Sequence, residues 1–138
     1  MNLVVDTSVW SLVLRRAHVT ETHPLVRAFR RHIEAGDEIV LGGSILQEIL
    51  DGLRERRDLE RLVRYLAPFP LLALERGTYV AAAELRQRCR SRGIQAGPID
   101  CLIAAACIEH GLPLLTADQD FLRIAKHSDL MLLGAGGA

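Results

Sequence analysis

Short apolar runs alternate with longer stretches of helical period along this chain. Four runs are continuously apolar: "LVV" near Leu3, "IVL" at Ile39 to Leu41, "LPLLT" around Leu114 and "LMLL" near Met131. Such runs predict strands buried on both faces rather than strands with one wet side. A fifth run, "FPLLAL", has prolines about its start, and a proline offers no donor to a ladder, so it is the least secure strand of the five.

Between the runs, apolar residues recur at helical spacing. "PLVRAFRRHIEAG" is expected to stop at Gly36, "SILQEILDGLRER" to open at Ser44, "GTYVAAAELRQRCRSRG" to close at Gly93, and "PIDCLIAAACIEHG" to close at Gly111. Strands alternating with helices predict an α/β fold, a parallel central sheet with helices on both faces. No repeat, low-complexity tract or linker divides the sequence. One domain over 1–133 is expected, with a flexible tail at 134–138.

Size supports that reading. At 138 residues a chain buries roughly 68–70% of the surface its unfolded form exposes, enough to fold without metal or disulfide staples. The formal net charge is zero, so there is no global pull toward nucleic acid or an anionic membrane. The start, "MNLVVDTSVW", has no basic segment and is interrupted by Asp6, and the longest apolar run, "LIAAACI", is far short of the ~20 residues of a membrane span. A cytoplasmic protein with no membrane association is expected. Cys89, Cys101 and Cys107 form no C-x-x-C pair and lack a histidine at zinc-ligand spacing. They read as reduced, the last two packed in a helix.

The acidic residues change the picture. In open parallel sheets, chemistry gathers beyond the carboxyl ends of the strands. Asp6 follows "NLVV" directly, Asp118 and Asp120 follow "LPLLT", Glu48 lies one turn into the helix after "EIVLGG", and Asp100 opens "DCLIAAACIEH". Asp6, Asp100 and Asp118 can each be read as a helix N-cap worth ~1 kcal/mol, and Glu48 as a surface residue of an amphipathic helix. Independent caps, however, have no reason to share one edge of a sheet.

Gathering them has a cost. Two unit charges ~5 Å apart repel by about 3 kcal/mol at an effective dielectric near 20, against a total stability of ~5–15 kcal/mol. Either some carboxyls stay protonated or a divalent cation sits among them. Oxygen donors select magnesium or manganese over zinc. Such an ion activates water and neutralises charge on a phosphate oxygen, the requirements of phosphodiester hydrolysis. Ser8 and Thr116 would then orient the carboxylates beside them, unless they serve only as a cap and a strand-end turn.

The motifs "VVDTSVW", the glutamate of "SILQEIL", "GPIDCLIAAA" and "LLTADQDF", in this order and at these separations, resemble those of the PIN-domain nucleases, and a single short domain of this kind resembles the VapC toxins of type II toxin–antitoxin pairs. The resemblance runs from Asp6 to about Phe121. It implies that Asp6, Glu48, Asp100 and Asp118 form the acidic quartet of a magnesium- or manganese-dependent ribonuclease, with Asp6, Asp100 and Asp118 on the metal and Asp120 a further acid. Which of Asp118 and Asp120 lies nearer the ion stays open, since Asp120 could instead cap the helix "FLRIAK". The resemblance also implies an RNA substrate, a homodimer, and a small antitoxin whose C-terminal segment fills the active-site groove. The apolar positions Leu46, Leu50, Leu53 and Leu62 could serve as core, dimer seam or antitoxin groove.

Sixteen of the seventeen basic residues are arginine, clustered at Arg15 and Arg16, Arg27 to Arg31, Arg54 to Arg64 and Arg86 to Arg92. Arginine forks suit phosphate, so these clusters are candidates for holding an RNA backbone. The competing reading is helix chemistry: Glu60 with Arg64 and Arg54 with Asp58 have i,i+4 spacing, and Arg86 to Arg92 sit where a helix macrodipole favours cations. Two rival functions make different demands on the sequence. A phosphotransfer domain needs a second acid where this chain has Ser8, or a lysine at a strand mouth, whereas Lys126 falls in the last helix. A catalytically inactive binding module of the same fold would have no need of all four acids.

Overall fold

The chain is described by a computed structural model over residues 1–15 and 21–134. The four apolar runs form β1 (Asn2–Val5), β2 (Glu38–Val40), β3 (Leu114–Leu115) and β4 (Leu132–Leu133). All pair in parallel, in the order β2-β1-β3-β4. β1 is central, with Val4 beside Val40 on one side and Leu114 on the other. Leu3, Val4 and Val5 are all fully buried. Successive strand residues point to opposite faces, so helices must cover both sides of β1. The same holds for Leu114 and Leu115.

Seven helices surround the sheet among the described residues: α1 (Thr7–Val13), α2 (Pro24–Glu34), α3 (Gly43–Asp51), α4 (Arg56–Leu66), α5 (Arg76–Ser91), α6 (Pro98–His110) and α7 (Gln119–Ala125). None is long and apolar enough to cross a membrane. Gly36, Gly93 and Gly111 follow α2, α5 and α6 with φ of 81°, 77° and 64°, a region costly for any residue with a Cβ. That is why these three glycines mark helix ends in the sequence. Trp10 of α1 fills the space between α1, α2 and the loop after α4, its ring edge-on to Phe29 at 5.2 Å and to Phe69 at 5.3 Å.

Three expectations need correction. "SILQEILDGLRER" is not one helix opened by Ser44. α3 begins at Gly43 after an N-cap at Gly42 and ends on Gly52, and a new helix starts at Arg56. Glycine is the poorest ordinary residue inside a helix, and the amphipathic period running past it masked the break. "FPLLAL" contributes only an isolated bridge, Leu41 to Leu71. The ion pair on α4 joins Arg56 to Glu60 at 3.0 Å, not the pairs read from spacing. Arg16 and residues 135–138 of the expected tail lie outside the described residues.

The three cysteines are free and buried. Burial pushes the Cys101 thiol up to about 11 and the Cys107 thiol up to about 12, so both stay protonated at neutral pH and serve as core packing between α5, α6 and the sheet.

Candidate active site

β1 and β3 end side by side, and their exits are tied together through hydroxyls. The Asp6 N–H donates to the Leu115 carbonyl at 2.9 Å, extending the ladder one residue past β1. The chain then turns into α1 with Asp6 as N-cap. Its Oδ2 accepts from Ser8 Oγ at 2.7 Å, from Thr116 Oγ1 at 3.0 Å, and more weakly from the Ser8 N–H at 3.4 Å. Asp6 is buried at 6% exposure, and these donors are what let a carboxylate sit there. Ser8 Oγ also accepts from the Ala117 N–H, and Thr116 Oγ1 from the Asp118 N–H, each at 3.0 Å. Ser8 and Thr116 therefore join the first acid to the loop that carries the next two.

Asp118 is the N-cap of α7, its Oδ1 accepting from the Asp120 N–H at 2.9 Å. Asp120 is thus not the cap of that helix. It lies in the first turn, paired with Arg123 at 2.7 Å. Asp100 is not a cap either. Gly97 is the N-cap of α6 and Pro98 its first residue, which puts Asp100 inside the first turn. The capping account therefore covers Asp6 and Asp118 and leaves Asp100 unexplained.

Carboxylate oxygens of Asp100, Asp118 and Asp120 lie within 4.8 Å of one another. Burial, and then the negative fields of Asp118, Asp6, Asp120 and Glu48 in that order, push Asp100 from 3.8 up to about 6. All five acids therefore act on one spot. Glu48 stands on α3, across a cleft of about 380 Å³ that it lines with Ser44, Gln47, Asp51, Ile99 and Asp100. Its Oε1 accepts from Thr7 Oγ1 at 3.4 Å, a loose bond that leaves the exposed carboxylate open to the cleft. Beside it, Leu53, Leu62 and Tyr65 line a mainly apolar groove of about 570 Å³ that opens onto Glu48 and Thr7. Leu46 and Leu62 also pack against the core.

The donors suit a hard divalent cation. The close group offers carboxylate oxygens alone, with no thiolate or imidazole, and its mutual repulsion is the kind a 2+ charge relieves. The close trio contains Asp120 in addition to Asp100 and Asp118, while Asp6 lies outside it, held by Ser8 and Thr116 and still acting on Asp100 through its charge. The sequence marks Asp120 as a further acid and leaves open whether it or Asp118 lies nearer; both enter the close group through the turn between Thr116 and α7.

A parallel sheet with acids gathered beyond its carboxyl edge defines the class, and the family model of the PIN domain matches residues 3–127. The chain belongs to the PIN-domain family, and its sequence places it in the VapC branch. It is 31% identical over 130 residues to Ribonuclease VapC11 of Mycobacterium tuberculosis, a match covering 93% of this chain and 95% of that one. Among solved structures it is similar to VapBC-1 from nontypeable Haemophilus influenzae, with a TM-score of 0.77 at 16% identity and 99% of each chain covered. It is also similar to VapBC2 from Rickettsia felis bound to a promoter DNA fragment, with a TM-score of 0.76 at 16% identity over 97% of this chain and 98% of that one. At such identities the structural likeness speaks for the fold.

Proposed function

We propose that this chain is a magnesium- or manganese-dependent ribonuclease, the toxin of a VapBC-type pair, acting in the cytoplasm and held inactive by a small antitoxin. The single observation that carries the reading is Asp100, a carboxyl outside any cap, raised to about 6 by burial and by four other acids. A protein with no use for that charge would lose nothing by replacing it. The relatives named ribonucleases and the neighbours solved as VapBC complexes support the substrate class and the partner. A homodimer remains part of the proposal from family resemblance.

Asp100, Asp118 and Asp120 would hold the cation, with Asp6 adding its charge to theirs. When bound, the ion supplies charge neutralisation at the scissile phosphate and a more acidic water. The chain's own residues do the rest. Ser8 and Thr116 fix the Asp6 carboxylate and the loop to Asp118 so that the oxygens converge before substrate arrives, and preorganisation of this kind removes reorganisation from the reaction step. Glu48, open to the cleft from the opposite wall, is placed to accept the proton of an attacking water. A phosphodiester bond then breaks as the water oxygen bonds to phosphorus, and the leaving ribose oxygen takes up a proton.

The test is cleavage of cellular RNA by purified chain freed of any partner. Activity should appear with magnesium or manganese, stop with chelator, and vanish in an Asp6→Asn, Asp100→Asn double variant. Metal-dependent cleavage surviving in that variant would sink the assignment.

A further inference from the structure

An acidic centre must still draw in a polyanion, and the charge that does so has to lie beside it. Around the start of α6, the residues before Asp100 border a second cavity, of about 550 Å³, lined by Arg86, Arg90, Ile94, Gln95, Ala96 and Gly97. Its wall contains two guanidinium groups and no acid. Arg86 is half-buried and its Nε donates to the Ala96 carbonyl at 2.9 Å. That bond uses one of five N–H donors and fixes the plane of the fork. Among the described residues the terminal nitrogens of Arg86 have no acceptor, and Arg90, one turn further on, has no partner. The helix macrodipole accounts for cations in the last turn of α5. It does not account for Arg86, which lies before that turn and is anchored to the loop.

The start of α6 contributes lining residues to both cavities. Ala96 and Gly97 line the arginine pocket, and Ile99 and Asp100 line the acidic cleft. Gly97 and Asp100 are three residues apart, about 4.5 Å of axial rise, and residues at that spacing are neighbours on a helix.

We propose that Arg86 and Arg90 form a phosphate subsite, gripping a backbone phosphate of a nucleotide that flanks the bond to be cut at the acidic cleft. The inference rests on the ribonuclease reading and adds to it the residues that hold the strand. A fork already held in plane loses little freedom on binding, which favours a bidentate grip on phosphate. The subsite reads charge and spacing and carries no preference for base identity.

The experiment compares Arg90→Gln, Arg86→Lys and Arg86→Gln with the wild-type chain in magnesium-dependent cleavage of a labelled single-stranded RNA oligonucleotide and of total cellular RNA, across a salt series. Arg76→Gln, at the other end of α5 about 21 Å away along the helix, is the charge-matched control. Arg90→Gln should raise KM about tenfold, as expected for loss of a charged hydrogen bond, with kcat little changed. The slope of log kcat/KM against log salt should become shallower by about 0.7 for the lost phosphate contact. Arg86→Lys should keep part of the affinity, Arg86→Gln should lose more, and Arg76→Gln should keep the wild-type slope. Thermal melts overlaying the wild type would show that a loss in Arg86→Gln is not misfolding.

Cleavage by the wild type with an unchanged slope in Arg90→Gln and both Arg86 variants overturns the subsite and leaves the ribonuclease reading standing. Variants that cleave normally but release a co-purified acidic partner assign the pocket to that protein and equally overturn the proposal. Absence of any metal-dependent cleavage by the wild type overturns the ribonuclease reading, and the subsite with it.

Discussion

The two ends of the sheet treat aspartate in opposite ways. At the amino end, Asp37 precedes β2 and meets two donors: the Met1 amino group at 2.7 Å on Oδ1 and His32 Nδ1 at 2.8 Å on Oδ2. The hydrogen bond from the amino terminus, followed by that from His32, holds its carboxyl below the usual 3.8. At the carboxyl end, Asp100 meets burial and four acids and is driven up to about 6. At the amino end the charge of Asp37 is answered by the chain itself. The other end leaves its charge for something the chain does not contain, and that asymmetry marks the functional end of a domain whose net charge is zero.

The sharpest way to break the comparison is Asp100→Asn. Loss of one carboxylate from the close trio should lower RNA cleavage about a thousandfold, the several kcal/mol that charge stabilisation at a phosphate supplies. The same change should raise the melting temperature of the metal-free protein, because it removes a half-buried negative charge crowded by four other acids. Full activity, or a melting temperature lowered in chelator, would count against an unanswered charge. A smaller loss is expected from Thr116→Val, which removes the hydroxyl shared by Asp6 Oδ2 and the Asp118 N–H. Cleavage should fall about 10- to 100-fold, the usual effect of losing a group that orients a ligand, with a loss of about 1 kcal/mol in stability by denaturant titration. Unchanged kinetics would reduce the hydroxyl to a strand-end turn.

Much of this contrast can be read from the sequence, and the parts that cannot have a common cause. The strands are legible because both faces of Leu3 to Val5 and of Leu114 and Leu115 are buried, so the runs are unbroken. The helix ends at Gly36, Gly93 and Gly111 are legible because a positive φ selects glycine. The gathering of Asp6, Glu48 and Asp118 follows from strand exits, a rule of topology, and that of Asp100 from a helix start that faces them. What resists reading depends on contacts between distant segments. The Arg86 bond to Ala96 crosses a loop, and Asp120 joins Asp100 and Asp118 only because Asp118 caps α7. The break at Gly52 was hidden by an apolar period that runs on regardless of whether the backbone follows it, and the Pro70 run shrank to one bridge because no rule on proline gives the extent of pairing.

The gentlest probe is pH, and it should move the two ends in opposite senses. For Asp100, with 3.8 unfolded and about 6 folded, the stabilising contribution of the protonated form is full below 3.8 and is lost as pH rises through about 6. For Asp37, the folded value lies below 3.8, so its contribution is present above the ordinary carboxylate range and is lost as pH falls through the lowered value. In chelator, the melting temperature should therefore decline from near pH 4 toward neutrality through Asp100, and that decline should disappear in Asp100→Asn. Magnesium or manganese should offset it at neutral pH, because a cation that binds only the folded carboxylates stabilises by mass action. Asp37→Asn should leave the neutral-pH effect of metal and the rate of cleavage as they are, lower the melting temperature slightly above pH 4, and lose that difference in stronger acid. If Asp37→Asn altered the metal response, or if the decline persisted in Asp100→Asn, the two ends would not be electrostatically separate, and the charge at the carboxyl edge could no longer be assigned to the acidic cluster alone.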